Sequence, residues 1–246
     1  TISNAGTEGI RVGESAKVTN IGGSKTTGNT ISASTGIGIY AGASNVTNIS
    51  HNKIEQTGST SIRVVNAASK TKITSNTISN GKERGIYVSG SEIAITSNKI
   101  NKSAATAIQV ENGKGTIRKN TVKTTLSGDG ILVSGKANIS SMNENTVTSA
   151  KKNGIEGSAK AAVKYIGEKK NTGNTIDKAG VNGIYVKEGT NVSNICYNTV
   201  KSSKSANINA EKTKKTLTVA NNTHTSAKKH GININNAKVK ITNNKI

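Results

Sequence analysis

The sequence predicts an all-β fold, a single-stranded parallel β-helix (solenoid) of about ten coils with three short strands per coil. Three observations lead there. The chain repeats itself about every 24 residues. Within each repeat, β-branched residues alternate with polar ones. The composition lacks the usual material of a helical core, with no Phe or Trp, one Met and three Leu in 246 residues. Ile, Val and Thr suit a pleated, buried surface. No apolar stripe at i, i+3, i+4, i+7 persists, which argues against helices.

The repeat announces itself through one residue type. Ten asparagines, each followed by Thr or Lys and, in nine of the ten, then by Ile or Val, stand 22 to 29 residues apart: Asn29, Asn52, Asn76, Asn98, Asn120, Asn145, Asn174, Asn198, Asn222 and Asn244. These begin the first strand of each coil. Ten residues on comes the Ile of the second strand, usually preceded by Gly, as in Gly38-Ile39, Gly85-Ile86, Gly154-Ile155 and Gly183-Ile184; only Ile131 stands at eleven. The third strand carries an apolar residue three before the next Asn: Ile49, Ile73, Ile95, Ile117, Met142, Ile195, Val219 and Ile241. Ile21 and Ile166 stand eight before theirs, which predicts similar loops over Gly22–Gly28 and Gly167–Gly173 at one corner, six coils apart.

An Asn turned inward at a corner can exchange amide hydrogen bonds with the Asn one coil away, so the ten are expected to form a ladder. The left-handed tolerance of Asn, and of the Gly before the second-strand Ile, is expected to serve the sharp corners. The chain begins and ends inside a strand pattern with no polar or helical cap. It is expected to be a single β-helix domain, residues 1–246, cut from a longer protein or pairing end to end with another chain.

Composition excludes several classes. No run of about 18 apolar residues exists to span a membrane, and no leader of basic then apolar residues is present. One Cys builds neither a disulfide framework nor a multi-Cys zinc site. Lys and Arg number 34 against 13 Asp and Glu, a formal charge of +21, which attracts polyanions.

The run Asn76-Thr77-Ile78 through Gly85-Ile86-Tyr87-Val88, and its counterpart Asn174-Thr175-Ile176 through Gly183-Ile184-Tyr185-Val186, resembles the right-handed parallel β-helix repeats of the pectin-lyase-like superfamily. The likeness covers essentially the whole chain. It implies a right-handed coil and an extracellular or cell-surface setting of bacterial type. It also implies the handling of polysaccharide by a lyase, hydrolase, epimerase, tailspike or adhesin. Fold alone does not choose among these.

The residue after each second-strand Ile should face solvent. That column reads Arg11, Tyr40, Arg63, Tyr87, Gln109, Leu132, Glu156, Tyr185, Asn209 and Asn233. Tyr40, Arg63, Tyr87 and Gln109, with Arg84 nearby and Tyr185 further along, form a candidate ligand-binding strip. Tyr faces pack on sugar rings, and Arg forks onto carboxylate or sulfate. The expected partner is an anionic polysaccharide or cell-wall polymer. The chain carries no nucleic-acid motif and little aromatic stacking surface. Glu111 and Asp129 are the one carboxylate pair to check for glycoside chemistry. His51, His224 and His230 are scattered, with His224 in a core slot, so no metal site, cofactor or catalytic residue is assigned. Cys196 has no His beside it to act as a nucleophile's base. The outward Thr column of the first strand resembles the flat Thr arrays of ice-binding solenoids, but Lys53, Glu55, Lys99, Lys123, Asp177 and Lys201 interrupt it, which argues against that role. The sequence thus favours a non-catalytic binding or structural rod. Part of a lyase or epimerase, and a fibre-forming segment, are the alternatives.

Overall fold

In the computed structural model, which describes residues 1–213 and 215–246, the chain winds as a right-handed parallel β-solenoid. Ten coils occupy residues 2–22, 30–50, 53–74, 77–96, 99–118, 121–143, 146–166, 175–196, 199–220 and 223–242, numbered here coil 1 to coil 10. Each gives one strand to each of three ten-stranded sheets, and every strand pairs in parallel with its counterparts one coil away. At about 4.8 Å per coil, ten coils make a rod on the order of 50 Å long.

The register explains why the interior is so uniform. Ile31, Ile54, Ile78 and Ile100 stack in the first sheet, Ile39, Ile62, Ile86 and Ile108 in the second, and Ile49, Ile73, Ile95 and Ile117 in the third. All are at most 1% exposed. Each β-branched side chain meets its own kind above and below, so one shape fills every layer at crystal-like density.

The asparagines stand inside the corner between the third and first sheets, where they link coil to coil. The Nδ2 of Asn76 donates to Asn98 Oδ1 (2.9 Å) and to Ile49 O (2.8 Å), while its backbone N–H donates to the same Oδ1 (3.0 Å). The pattern repeats from Asn29 to Asn244. The amide uses both hydrogens, and its oxygen accepts twice. Asp lacks the donors, and Ser lacks the reach. The carbonyl that closes each link belongs to the apolar third-strand residue of an earlier coil, such as Ile73 for Asn98. This ties two of the repeat's landmarks to one set of bonds.

Two sequence expectations about backbone need correction. The ladder asparagines are not left-handed; in eight of the ten links the residue before is, as at Ser75, Ser97, Lys119 and Glu144, with φ from 56° to 59°, while after the two loops Gly28 and Gly173 precede Asn29 and Asn174 without a positive φ. The glycines before the second-strand Ile are not left-handed either. Their reason is steric. A Cβ on Gly38 would meet a γ-methyl of Ile54 at 2.7 Å, and one on Gly85 would meet Ile100 at 2.9 Å. The β-branched residue of the next coil fills the space a side chain would need.

The two predicted loops are present and alike. Ser24 N–H donates to Thr27 Oγ1 (2.8 Å) and Lys169 N–H to Thr172 Oγ1 (2.9 Å), each beside a residue pair closed by a backbone turn.

Candidate ligand-binding face

The outer face of the second sheet carries the strip. Cross-strand pairing sets Arg11 beside Tyr40, Tyr40 beside Arg63, Arg63 beside Tyr87 and Tyr87 beside Gln109. Because strand residues alternate between faces, these side chains share the outside. The guanidinium of Arg11 lies 4.7 Å from the centre of the Tyr40 ring. Those of Arg63 and Arg84 lie 5.6 and 5.1 Å from the Tyr87 ring. Each such contact contributes about 0.5–1 kcal/mol at an exposed site. Arg84 Nε donates to Gln109 Oε1 at 2.6 Å. Three of the chain's four arginines thus gather on coils 1 to 4 around two tyrosine rings. Beside them is a depression of about 130 Å³ lined by Arg11, Glu14, Tyr40, Val65 and Asn66, among others.

Two strip residues differ from their expected setting. Gln109 is 9% exposed, lying under the Arg84 contact, so it positions that arginine instead of meeting solvent. Tyr185 sits on coil 8, separated from Tyr87 by Gln109, Leu132 and Glu156. Its hydroxyl donates to Glu211 (2.8 Å), and burial together with that carboxylate pushes its pKa up. Tyr87 has a matching bond to Glu111 (2.8 Å); burial first and Glu111 second raise its pKa too. Both phenols are therefore held neutral, with their ring faces left as the working surface. Neither is set up as a base.

The Glu111–Asp129 pair does not form. Glu111 ends the strand Ile108–Glu111, whereas Asp129 precedes the strand Ile131–Ser134, so the two lie at opposite ends of paired strands. Asp129 instead accepts from the backbone N–H (2.8 Å) and the Nδ2 (3.1 Å) of Asn153, whose Nδ2 also donates to Glu156 (2.7 Å). Asn182 continues the chain by donating its N–H and Nδ2 to Asn153 Oδ1 (3.0 and 3.1 Å). This second, short ladder occupies the corner between the first and second sheets. Burial raises the pKa of Asp129. Burial, then the charge of Asp129, raises that of Glu156. The Asn153 amide fills the space between the two carboxylates and Asp129 is 5% exposed, so no sugar oxygen reaches between them. Asn153 and Asn182 escaped the sequence reading, although a signal was there: both stand two residues before a second-strand Ile, Ile155 and Ile184.

His224 takes the core slot that Ile and Val fill in coils 2 to 9 and is 1% exposed. Neither ring nitrogen has a hydrogen-bond partner, and burial lowers its pKa to about 4. Cys196 ends a third-sheet strand, and burial pushes its thiol up. Among the described residues no cluster of three or more His, Cys, Asp or Glu is arranged to hold a metal. Among the described residues no helix is long and apolar enough to cross a membrane.

A family model described as "Right handed beta helix region" matches residues 8–169 and 89–246. No curated protein sequence matches. Among solved structures, the chain is similar to the catalytic unit of the thermostable GH87 α-1,3-glucanase from Streptomyces thermodiastaticus strain HF3-3. The TM-score is 0.66 at 15% identity, over 99% of this chain and 55% of that one. The chain thus spans about half the length of that structure. At this identity the likeness speaks for the fold.

Proposed function

The chain belongs to the right-handed β-helix family, and from that premise we propose that it is a rod that binds acidic polysaccharide outside the cell without transforming it. The observation that carries this is the stacking of Arg11 on Tyr40 and of Arg63 and Arg84 on Tyr87, along one flat face. A flat row of rings suits the apolar faces of sugar residues. Guanidinium groups beside them supply forked donors for carboxylate or sulfate. Successive coils repeat at about 4.8 Å, so a linear glycan lying along the axis meets a ring or an arginine at each step. The glucanase neighbour suggests polysaccharide as the first ligand class to try. The arginines argue for an acidic one.

The test is a glycan array at low and at physiological salt, with the wild type beside Tyr87→Ala and Arg63→Ala. The expected result is a uronic or sulfated glycan whose binding survives physiological salt and falls about tenfold in each variant, equivalent to ~1.4 kcal/mol. Binding that vanishes with salt and ignores both substitutions sinks the proposal. The bound glycan, incubated with the protein, should yield no unsaturated or new reducing ends. Turnover would make the chain part of a lyase or hydrolase.

A further inference from the structure

The corner between the first and second sheets changes character along the rod. On coils 1 to 3 it holds no lysine. On coils 7 to 10 it holds Lys151, Lys152, Lys178, Lys204, Lys228 and Lys229, all exposed. None of the six has an ion pair among the described residues, a state they share with most lysines of the chain; Lys53, Lys70, Lys114, Lys119 and Lys212 are the ones that meet a glutamate. The corner backbone is itself laddered. Gly180 N–H donates to Ala150 O (2.8 Å), Lys204 N–H to Ala179 O (3.0 Å) and Lys228 N–H to Ser203 O (3.0 Å). Lys151, Lys204 and Lys228 therefore rise in one column, with Gly180 leaving a gap on coil 8 that Lys178 flanks. The nearest acids are few. Asp129 and Glu156 lie within electrostatic reach of Lys152, and Asp177 precedes Lys178 in the chain.

We propose that this ridge is a second docking surface, distinct from the arginine–tyrosine strip, for a linear phosphodiester polymer without bases. Its chemistry differs from the strip's in two ways. It is built from lysine alone, compact point charges that pair with phosphate without directional demands, where the strip's planar arginine fork grips carboxylate, sulfate or phosphate in a bidentate geometry. No aromatic residue lies in the corner segments of coils 7 to 10, so bases would find nothing to stack on. Lys204 and Lys228 stand one coil rise of about 4.8 Å apart and Lys151 two rises before Lys204, with Lys178 beside the gap, so an extended polyanion along the axis meets a lysine near each coil and releases its counterions. A polyol-phosphate polymer offers those charges and little else.

Binding of poly(glycerol phosphate), oligothymidylate and polygalacturonate is measured across a salt series. The proteins are the wild type, a ridge variant and a control. The ridge variant carries Lys151→Gln, Lys178→Gln, Lys204→Gln and Lys228→Gln. The control removes the same charge from the third sheet with Lys17→Gln, Lys72→Gln, Lys164→Gln and Lys240→Gln. Circular dichroism and melting confirm that each folds. The ridge variant should bind poly(glycerol phosphate) at least tenfold more weakly, with a salt slope flatter by roughly 2–3. The control and Arg63→Ala should each change it less than threefold. Equal losses in ridge variant and control, or tighter binding of oligothymidylate or polygalacturonate than of poly(glycerol phosphate), overturn the ridge. A loss in Arg63→Ala as large as in the ridge variant would collapse the two surfaces into one. The ridge fails in that case, while the strip proposal stands or falls on its own array.

Discussion

Two corners of the same rod are built on opposite rules. The corner between the third and first sheets repeats one asparagine from coil 2 onward, and every link makes the same bonds. The corner between the first and second sheets changes from coil to coil. It holds Ser, Thr and Gly on coils 2 and 3, the Asp129–Asn153–Asn182 ladder on coils 6 to 8, and bare lysines toward the end. The first corner turns its polar side chains inward, where an unpaired amide costs about 1–3 kcal/mol, so no coil is free to differ. The second mixes buried and exposed positions on coils 2 to 9, and the exposed ones leave each coil free to carry its own chemistry. Uniformity marks where the fold is held; variation marks where a ligand can be read.

The largest effect should come from breaking the uniform corner in mid-rod. Asn98→Ala removes the acceptor of two Asn76 donors and two donations of its own, to Ile73 O and to Asn120 Oδ1. A loss of about 3–5 kcal/mol is expected in denaturant unfolding. The earliest hydrogen exchange should appear in coils 4 and 5, because a solenoid couples nearest neighbours. A change under about 1 kcal/mol would show that the ladder adds little to the stacked isoleucines.

The next prediction lies where the two rules collide. His224 replaces the β-branched residue that, elsewhere, occupies the space above a glycine, and Asn207 stands where most coils have that glycine. Both side chains line one depression together with Ala227 and Ile246, and Asn207 Oδ1 has no hydrogen-bond partner. The pair is therefore coupled. His224→Val alone should clash with Asn207, whereas His224→Val with Asn207→Gly restores the packing of the other coils and should stabilise. A double-mutant cycle measures this. The wild type should also lose stability in acid. The folded state holds His224 near 4 against 6.5 when unfolded, so its contribution is full above about pH 6.5 and lost as pH falls toward 4. The amplitude is on the order of 3 kcal/mol. The double variant should lack that limb of the pH–stability curve. An unchanged limb would assign it to another group.

The smallest effect has the opposite sign. Asp129 and Glu156 have raised pKa values, so their contribution is present in acid and lost as pH rises through the folded pKa. Asp129→Asn keeps the acceptor for Asn153 and removes the buried charge. It should stabilise modestly at neutral pH, with the gain fading in acid below the ordinary carboxylate range. Destabilisation at neutral pH would mean that the Asp129 carboxylate is held by a partner it cannot lose.

The coil count, the three strands per coil, the inward isoleucines, the ladder positions and the two corner loops were legible from the repeat alone. Those features obey a strict period, and a parallel stack demands the same residue type at the same place in every coil. The repeat also put Arg11, Tyr40, Arg63 and Tyr87 in one column, because alternation fixes which side a strand residue faces. What those residues touch follows from the stacked coils and not from the repeat. Arg84 folds over Tyr87 from the corner, Gln109 goes under it, and Glu111 serves a phenol instead of pairing with Asp129. The stacking also decides why the glycines are glycines: the obstacles are a methyl group of the next coil, 15 to 22 residues along the chain, and a backbone carbonyl beside it. Side-chain reach across coils has no period, and sequence spacing measures distance along the strand, not across the stack.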